Sequence, residues 1–346
     1  MTETKTARPS IKLALLALSA LVGLVLLSKA LSFIFSLNQP YSPDLADAKT
    51  YPWDTQSSYN ILYATSRDEK KLSDITFINF QPREKAITVL HIPDTTYARV
   101  PRGYGEWTIG SIYQLGEEDG GVGVDLLRLS LSQLVGLPID GIIINKNQTQ
   151  KAEDAISSLR KNQLAFITLG TQIKSNISAW ELITLGRFAG SVRQDKVISL
   201  DLAKSSITES RLLPDSTRVL GIDNIQLDSF IRNSLADTAL ADENASIAIL
   251  NATNHPGLAQ AASRLMTNLG ATVVFTGNTE SLQSKSAVVE QNGDLKFEIT
   301  KKRLEEMFAP WCSKEKCSSA DPKALNARAQ IVVILGEDFY TYWNKR

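Results

Sequence analysis

The feature that most constrains this chain is the apolar run in its first forty residues. Leu13 to Ser28 (LALLALSALVGLVLLS) carries no charge. Lys29 interrupts it, and the run resumes as ALSFIF up to Phe35. A helix needs about 20 apolar residues to cross the hydrocarbon core of a bilayer. Ile11 to Leu31 supplies them if Lys12 and Lys29 extend their amino groups to the two interfaces. Lys5, Arg8 and Lys12 precede the run, while Asp44 and Asp47 follow it. The positive-inside rule then predicts a cytoplasmic tail over residues 1–12, a span over 13–36, and everything beyond outside the cytoplasmic membrane. Ser28-Lys29-Ala30 also reads as the cleavage site of a removed signal peptide. The retained anchor is the reading adopted, because the run is long for a signal peptide and continues after Lys29. Asn38 to Asp54 is polar and proline-containing, so residues 37–58 read as a short stalk.

The remaining sequence is that of a globular protein, 43% hydrophobic and 21% charged. Lys+Arg and Asp+Glu are equal at 37 each, so no global basic field draws nucleic acid, and none is expected as a partner. Two histidines, His91 and His255, and two cysteines, Cys312 and Cys317, are too few for an ordinary Cys/His metal site. Outside the membrane the two cysteines can close a disulfide, with two free thiols as the alternative. His91, at a strand end, reads as a satisfied or surface histidine, and His255, before Pro256, as a turn residue.

From Tyr59 onward the pattern alternates. Asn60–Ala64 (NILYA), Ile75–Phe80 (ITFINF), Ala86–Ile92 (AITVLHI), Ile139–Ile144 and Leu164–Leu169 read as strands. Gly120–Gly123 leads into a predicted helix over Asp125–Val135. A glycine-rich turn before a helix can cradle phosphate, but the Lys-Ser/Thr of a P-loop is missing here. The mixture predicts a layered α/β domain over 59–235. Polar, alanine-rich residues 236–245 read as a linker. In 246–346 the order strand, helix, strand, strand, helix, strand predicts a small β-α-β-β-α-β two-layer domain.

These residues resemble a known family. Asn60-Ile61-Leu62, Ser73-Asp74-Ile75-Thr76, Pro82 to Pro93 (PREKAITVLHIP), Leu134 to Asn145 (LVGLPIDGIIIN) and Val192 to Ile198 (VRQDKVI) are similar to the successive motifs of LytR-CpsA-Psr (LCP) domains, a bacterial cell-envelope family. Ala248 to Thr253, Gly257-Leu258-Ala259, Gly277-Asn278 and Ile331 to Phe339 (IVVILGEDF) resemble the LytR C-terminal domain. The resemblance implies an extracytoplasmic protein of cell-wall assembly. Family members with intact sites bind a polyprenyl-diphosphate-linked glycopolymer and transfer its glycosyl-phosphate to peptidoglycan or a similar acceptor. That chemistry calls for arginines on the diphosphate and carboxylates holding Mg²⁺, because charge builds on phosphate oxygens.

Several cations of that clamp are absent. Leu72 stands where the family has Arg before Ser/Thr-Asp-Thr, Asp94-Thr95 replaces Arg-Asp after Ile92-Pro93, and Gly190 falls on the first Arg of the R-x-x-R-Q motif. Asp74, a displaced Asp94 and Arg193 remain as the implied catalytic set, with Asp74 as the implied Mg²⁺ ligand. Arg67, Arg99 and Arg102 are candidate replacement cations, and Tyr104 and Trp107 of the same loop are candidate stacking faces for sugar rings. The expectation is a degenerate, non-enzymatic site on a membrane-anchored envelope protein that binds a glycopolymer, its lipid carrier or a partner. An active Mg-dependent glycopolymer phosphotransferase and a purely structural assembly factor are the alternatives.

Overall fold

A computed structural model describes residues 11–42, 45, 52–68, 71–146, 150–162, 173–291, 295–310, 312 and 328–344. The apolar run forms helix α1 (Ile11–Leu37). Within it Ala14–Leu37 has a mean hydropathy of 2.2, and none of that span is buried in the protein. Its 27 residues reach about 40 Å at 1.5 Å per residue, enough to cross a core of about 30 Å. The leucines that line it are 57–70% exposed at positions such as Leu16, Leu18 and Leu24. Such a surface is stable in hydrocarbon and costly in water.

The predicted α/β domain is a mixed sheet between two helical layers. Its strands are β1 (Tyr59–Asp68), β2 (Lys71–Gln81), β3 (Ala86–His91), β6 (Gly141–Asn145), β7 (Ile173–Ser175) and β8 (Val197–Asp201), in the order β7-β6-β1-β2-β3-β8. β1–β2 and β2–β3 are antiparallel hairpin pairs, while β1–β6 and β3–β8 are parallel. Side chains alternate between faces along a strand. Leu62, Ala64 and Leu90 therefore join one core with α2 (Ile109–Glu118) and α3 (Gly123–Val135). Ile61, Tyr63, Ile87 and Val89 join the other with α4 (Ala152–Lys161) and α5 (Ala179–Ser191). Burial on both faces explains why these strands read as nearly unbroken apolar runs. The predicted helix at 125–135 is α3. It stops at Gly136, whose φ of 70° is left-handed and whose added Cβ would lie 2.3 Å from Asn268 Nδ2. A capping box of Ser178 and Glu181 starts α5. Two short hairpins complete this unit, β4 (Tyr97–Val100) with β5 (Gly105–Thr108) and β9 (Thr208–Leu212) with β10 (Arg218–Ile222), before α6 (Asn224–Ser234). The strand expected at 164–169 lies outside the described residues.

Two expectations about connecting segments are corrected. Residues 236–245 are not an extended linker, for Thr238–Glu243 forms helix α7, capped by Asp237 and burying Ala239 and Leu240. Alanine and one-sided polarity are helix traits as much as linker traits. Nor are the described parts of 37–58 a free stalk. Ser42 donates to the Ser175 carbonyl at 2.9 Å. Trp53 is buried, donates Nε1–H to the Ser57 carbonyl at 2.8 Å and packs edge-on against Phe188.

The C-terminal unit has the predicted order. β11 (Ser246–Asn251), α8 (Leu258–Asn268), β12 (Thr272–Asn278), β13 (Ala287–Glu290), α9 (Glu298–Phe308) and β14 (Ile331–Leu335) are followed by α10 (Glu337–Asn344). The sheet runs β12-β11-β14-β13, with β11 parallel to both neighbours. The first unit's α2/α3 core continues without a break into Ile247, Leu265, Leu304 and Val333 of this one. Polar contacts lock the joint. The buried Arg303 guanidinium holds Asp140 through Nη1 at 2.8 Å and Nη2 at 2.9 Å. Arg264 binds both oxygens of Asp228 and donates Nη2 to the Leu134 carbonyl at 3.0 Å. Asp237 accepts the Ser58 N–H at 2.7 Å.

Candidate functional site

Asp74 sits near the end of β2 where the β1–β2 register shifts, with a left-handed φ of 49°. One carboxylate oxygen lies 3.8 Å from His91 Nδ1, and the other is buried without a hydrogen-bond partner. His91 closes the end of β3. Its Nδ1 is 3.2 Å from the Thr76 hydroxyl and its Nε2 is 2.6 Å from Glu153 of α4. Glu153 also accepts the Ser199 hydroxyl at 2.8 Å. Burial raises the Asp74 pKa; the His91 charge opposes that, and Glu153 and Asp154 add to it. Burial also acts to raise Glu153, but the hydrogen bonds from Ser199 and His91 outweigh it and hold Glu153 low. The charged groups that act most on Asp74 are His91, Lys151 and the two carboxylates Glu153 and Asp154.

That arrangement suits proton sharing across a carboxylate–imidazole chain, whereas a diphosphate calls for several convergent cations. Asp74 offers one orphan oxygen, yet among the described residues no group of three or more His, Cys, Asp or Glu is arranged to hold a metal. Asp94, the implied second carboxylate, is on an exposed turn, where its carbonyl accepts the Gly110 N–H at 2.9 Å. Arg193 does not join Asp74 either. It is 81% exposed and grips Asp195 with Nε at 3.0 Å and Nη2 at 3.1 Å. Its stretch, similar to a family motif in sequence, is a single 3₁₀ turn leading into β8. β8 enters beside Ile87 and ends with Asp201 beside His91. Arg193 therefore precedes the far end of the strand, separated from the Asp74 end by about 13 Å of strand at 3.3 Å per residue.

The candidate cations of the β4–β5 hairpin lie elsewhere. Arg99 stands opposite Glu106. Arg102, at φ 64°, shares Asp125 with Arg128, at 2.9 and 2.7 Å. Burial acts to raise the Asp125 pKa, and the two guanidinium groups outweigh it and hold the carboxyl below its usual range. Tyr104 donates its hydroxyl to Asp119 at the end of α2, and Trp107 donates Nε1–H to the Tyr104 carbonyl at 2.8 Å, so Tyr104 ties the hairpin to α2 and Trp107 braces the hairpin itself. Arg99 and Arg102 instead line a cavity of about 860 Å³ between the two units, together with Arg211, Arg264, His255 and Tyr340. Sequence reasoning missed those four, which sit in no motif and meet only through the docking of the two units. A smaller cavity of about 220 Å³ lies beneath, lined by the buried Arg128 and Arg303. Neither cavity is lined by Asp74 or Arg193. The side chain of Arg67 and all of Cys317 lie outside the described residues. Cys312 is buried and engaged in a disulfide.

No curated protein matches the chain. Solved structures similar to it include Bacillus subtilis TagT (15% identity, covering 57% of this chain and 97% of that one, TM-score 0.39). Another is B. subtilis TagV (13%, 50% and 94%, TM-score 0.40). A third is the LytR-CPS2A-psr family protein YwtF (TagT) with bound octaprenyl pyrophosphate lipid (16%, 54% and 94%, TM-score 0.37). Residues 244–339 match the family described as LytR cell envelope-related transcriptional attenuator. The C-terminal unit, built in the strand and helix order its sequence predicted, is a LytR C-terminal domain.

Proposed function

We propose that this protein is a single-pass membrane protein of cell-envelope assembly, with its body outside the cytoplasmic membrane, and that its first unit binds rather than transfers. The LytR C-terminal domain supports the envelope setting. The exposed apolar helix, with Lys5, Arg8 and Lys12 before it, supports the anchor and its direction.

The observation that carries the non-transferring reading is the company of Asp74. A histidine hydrogen-bonded to Glu153 stands where a diphosphate would require guanidinium groups, and the nearby carboxylates Glu153 and Asp154 would repel it. Arg193 is spent on Asp195 at the far end of β8.

The test is genetic and topological. Protease added outside intact spheroplasts should digest the body and leave α1 in the membrane fraction. In a strain lacking this gene and its paralogues, the wild-type chain and an Asp74→Ala variant should restore the envelope phenotype equally. A body protected from outside protease contradicts the topology. Failure of Asp74→Ala alone to complement contradicts the non-transferring reading.

A further inference from the structure

We infer that the cleft between the two units is a binding site for a saccharide chain of little net charge. It deepens the envelope reading above by naming a ligand class, but it stands on the cleft and not on the Asp74 end. The cavity of about 860 Å³ falls within the range of about 300–1,000 Å³ typical of ligand clefts, which favour domain interfaces.

Its walls come from the β4–β5 and β9–β10 hairpins on one side and from α8 and α10 of the LytR C-terminal domain on the other. The floor is rigid, since Arg264 is forked onto Asp228 and onto carbonyls of the first unit. One strained residue stands at the rim. Arg102 is a non-glycine residue at φ 64°, followed by Gly103 at 79° and Gly105 at 83°. Such conformations persist where the surroundings hold them and are common at ligand sites.

The charges decide the ligand. Arg264 is neutralised by Asp228, and Arg102 shares Asp125 with Arg128, which leaves one positive charge over on that side. The two remaining lining arginines, Arg99 and Arg211, are matched by two lining carboxylates, Glu106 and Glu209. Arg99 faces Glu106 across β4–β5, and Glu209 and Arg211 alternate along β9. Planar guanidinium and carboxylate groups side by side can donate to and accept from the hydroxyls of one sugar ring. A flat platform accompanies them, as the His255 ring stacks on Tyr340 with centroids 3.3 Å apart and planes 5° apart. A polyanion would find a single unbalanced positive charge around this lining, far short of a clamp of convergent cations, and the polar rim does not suit a lipid tail.

The test uses the full-length chain in nanodiscs and titration calorimetry with three probes: an N-acetylglucosamine hexamer, an oligogalacturonate of equal length, and inorganic pyrophosphate. A zwitterionic Glu-Lys peptide serves as a fourth probe. The hexamer should bind saturably, and the other three at least tenfold more weakly. Gly221→Phe should abolish hexamer binding by filling the cleft. An added Cβ at Gly221 meets its nearest neighbour, Glu209 Cγ, at an ordinary 3.5 Å, so the backbone there accepts a side chain, and Gly221→Ala, with its melting temperature unchanged, serves as the control for folding. Paired Glu209→Ala and Arg211→Ala substitutions should weaken binding at least tenfold, also with unchanged melting. No saccharide binding, tighter binding of any of the other three probes, or hexamer binding that survives Gly221→Phe overturns the inference. None of these outcomes bears on membrane topology or on the Asp74 complementation.

Discussion

The joint between the two units should fail in a measurable way when Arg303 is removed. Its side chain is 7% exposed and that of Asp140 is 12% exposed. The two form a two-pronged pair at 2.8 and 2.9 Å, with Glu306 at 3.6 Å behind. Arg303→Met keeps an apolar stem and deletes the charge. Asp140 then retains one donor, the Asn60 N–H at 2.9 Å, and is left a buried carboxylate without its cation. Breaking a buried pair from one side costs about 3–5 kcal/mol. At about 2–4 °C per kcal/mol, the melting temperature should drop by about 6–20 °C. The two units share one continuous core, so a single transition is expected. Calorimetry of the full chain reads the loss directly, and limited proteolysis near 236–245 reads the opening of the joint. The double variant Arg303→Met/Asp140→Leu should recover at least about 1.5 kcal/mol, because two apolar groups replace two charges. A single-variant loss under about 1 kcal/mol, or strict additivity in the double variant, would refute the claim that this pair locks the units together.

Other substitutions give further checks. Burial raises the Asp74 pKa in the folded state, so its charged form opposes folding, and stability is lost as pH rises through that raised value. Asp74→Asn should therefore raise the melting temperature at pH 7.5 and give no gain near pH 3, below the ordinary value of about 3.9; equal effects at both pH values would contradict this. Asp54 runs the other way. Burial acts to raise it, yet the Lys302 ammonium and two backbone N–H groups bring it down to about 2. Its stabilisation is present above the ordinary aspartate value and is lost as pH falls towards 2, so Asp54→Asn should lower the melting temperature at pH 7 but not at pH 2. Gly136→Ala should cost at least about 2 kcal/mol in chemical denaturation, through its left-handed φ and its collision with Asn268; a cost below about 0.5 kcal/mol would show that the joint yields there.

Much of the fold was legible in the residues, for reasons the structure makes plain. Period and burial are local signals. α1 announces itself by hydropathy, the buried strands by their apolar runs, and the C-terminal unit by its element order. What stayed hidden depends on pairing at a distance. Glu153 lies 62 residues from His91 and meets it because α4 crosses the end of β3. Nothing in either segment alone distinguishes His91 from a surface histidine. Arg193 sits in a family-like string, but the parallel pairing of β8 with β3 carries it to the opposite end of the sheet from Asp74. Residues 236–245 look like a linker because α7 buries little beyond Ala239 and Leu240. Arg211 and Arg264, which build the cleft, belong to different units and come together only on docking.

We propose that the Asp74 end of the first unit does not carry out glycosyl-phosphate transfer. The most direct measurement incubates the purified full-length chain with a polyprenyl-diphosphate-linked glycopolymer, a peptidoglycan acceptor and Mg²⁺, and follows release of the lipid diphosphate. Release at the protein-free rate, identical for the wild type and Asp74→Ala, is the expected result. Release above that rate that disappears on Asp74→Ala would contradict it.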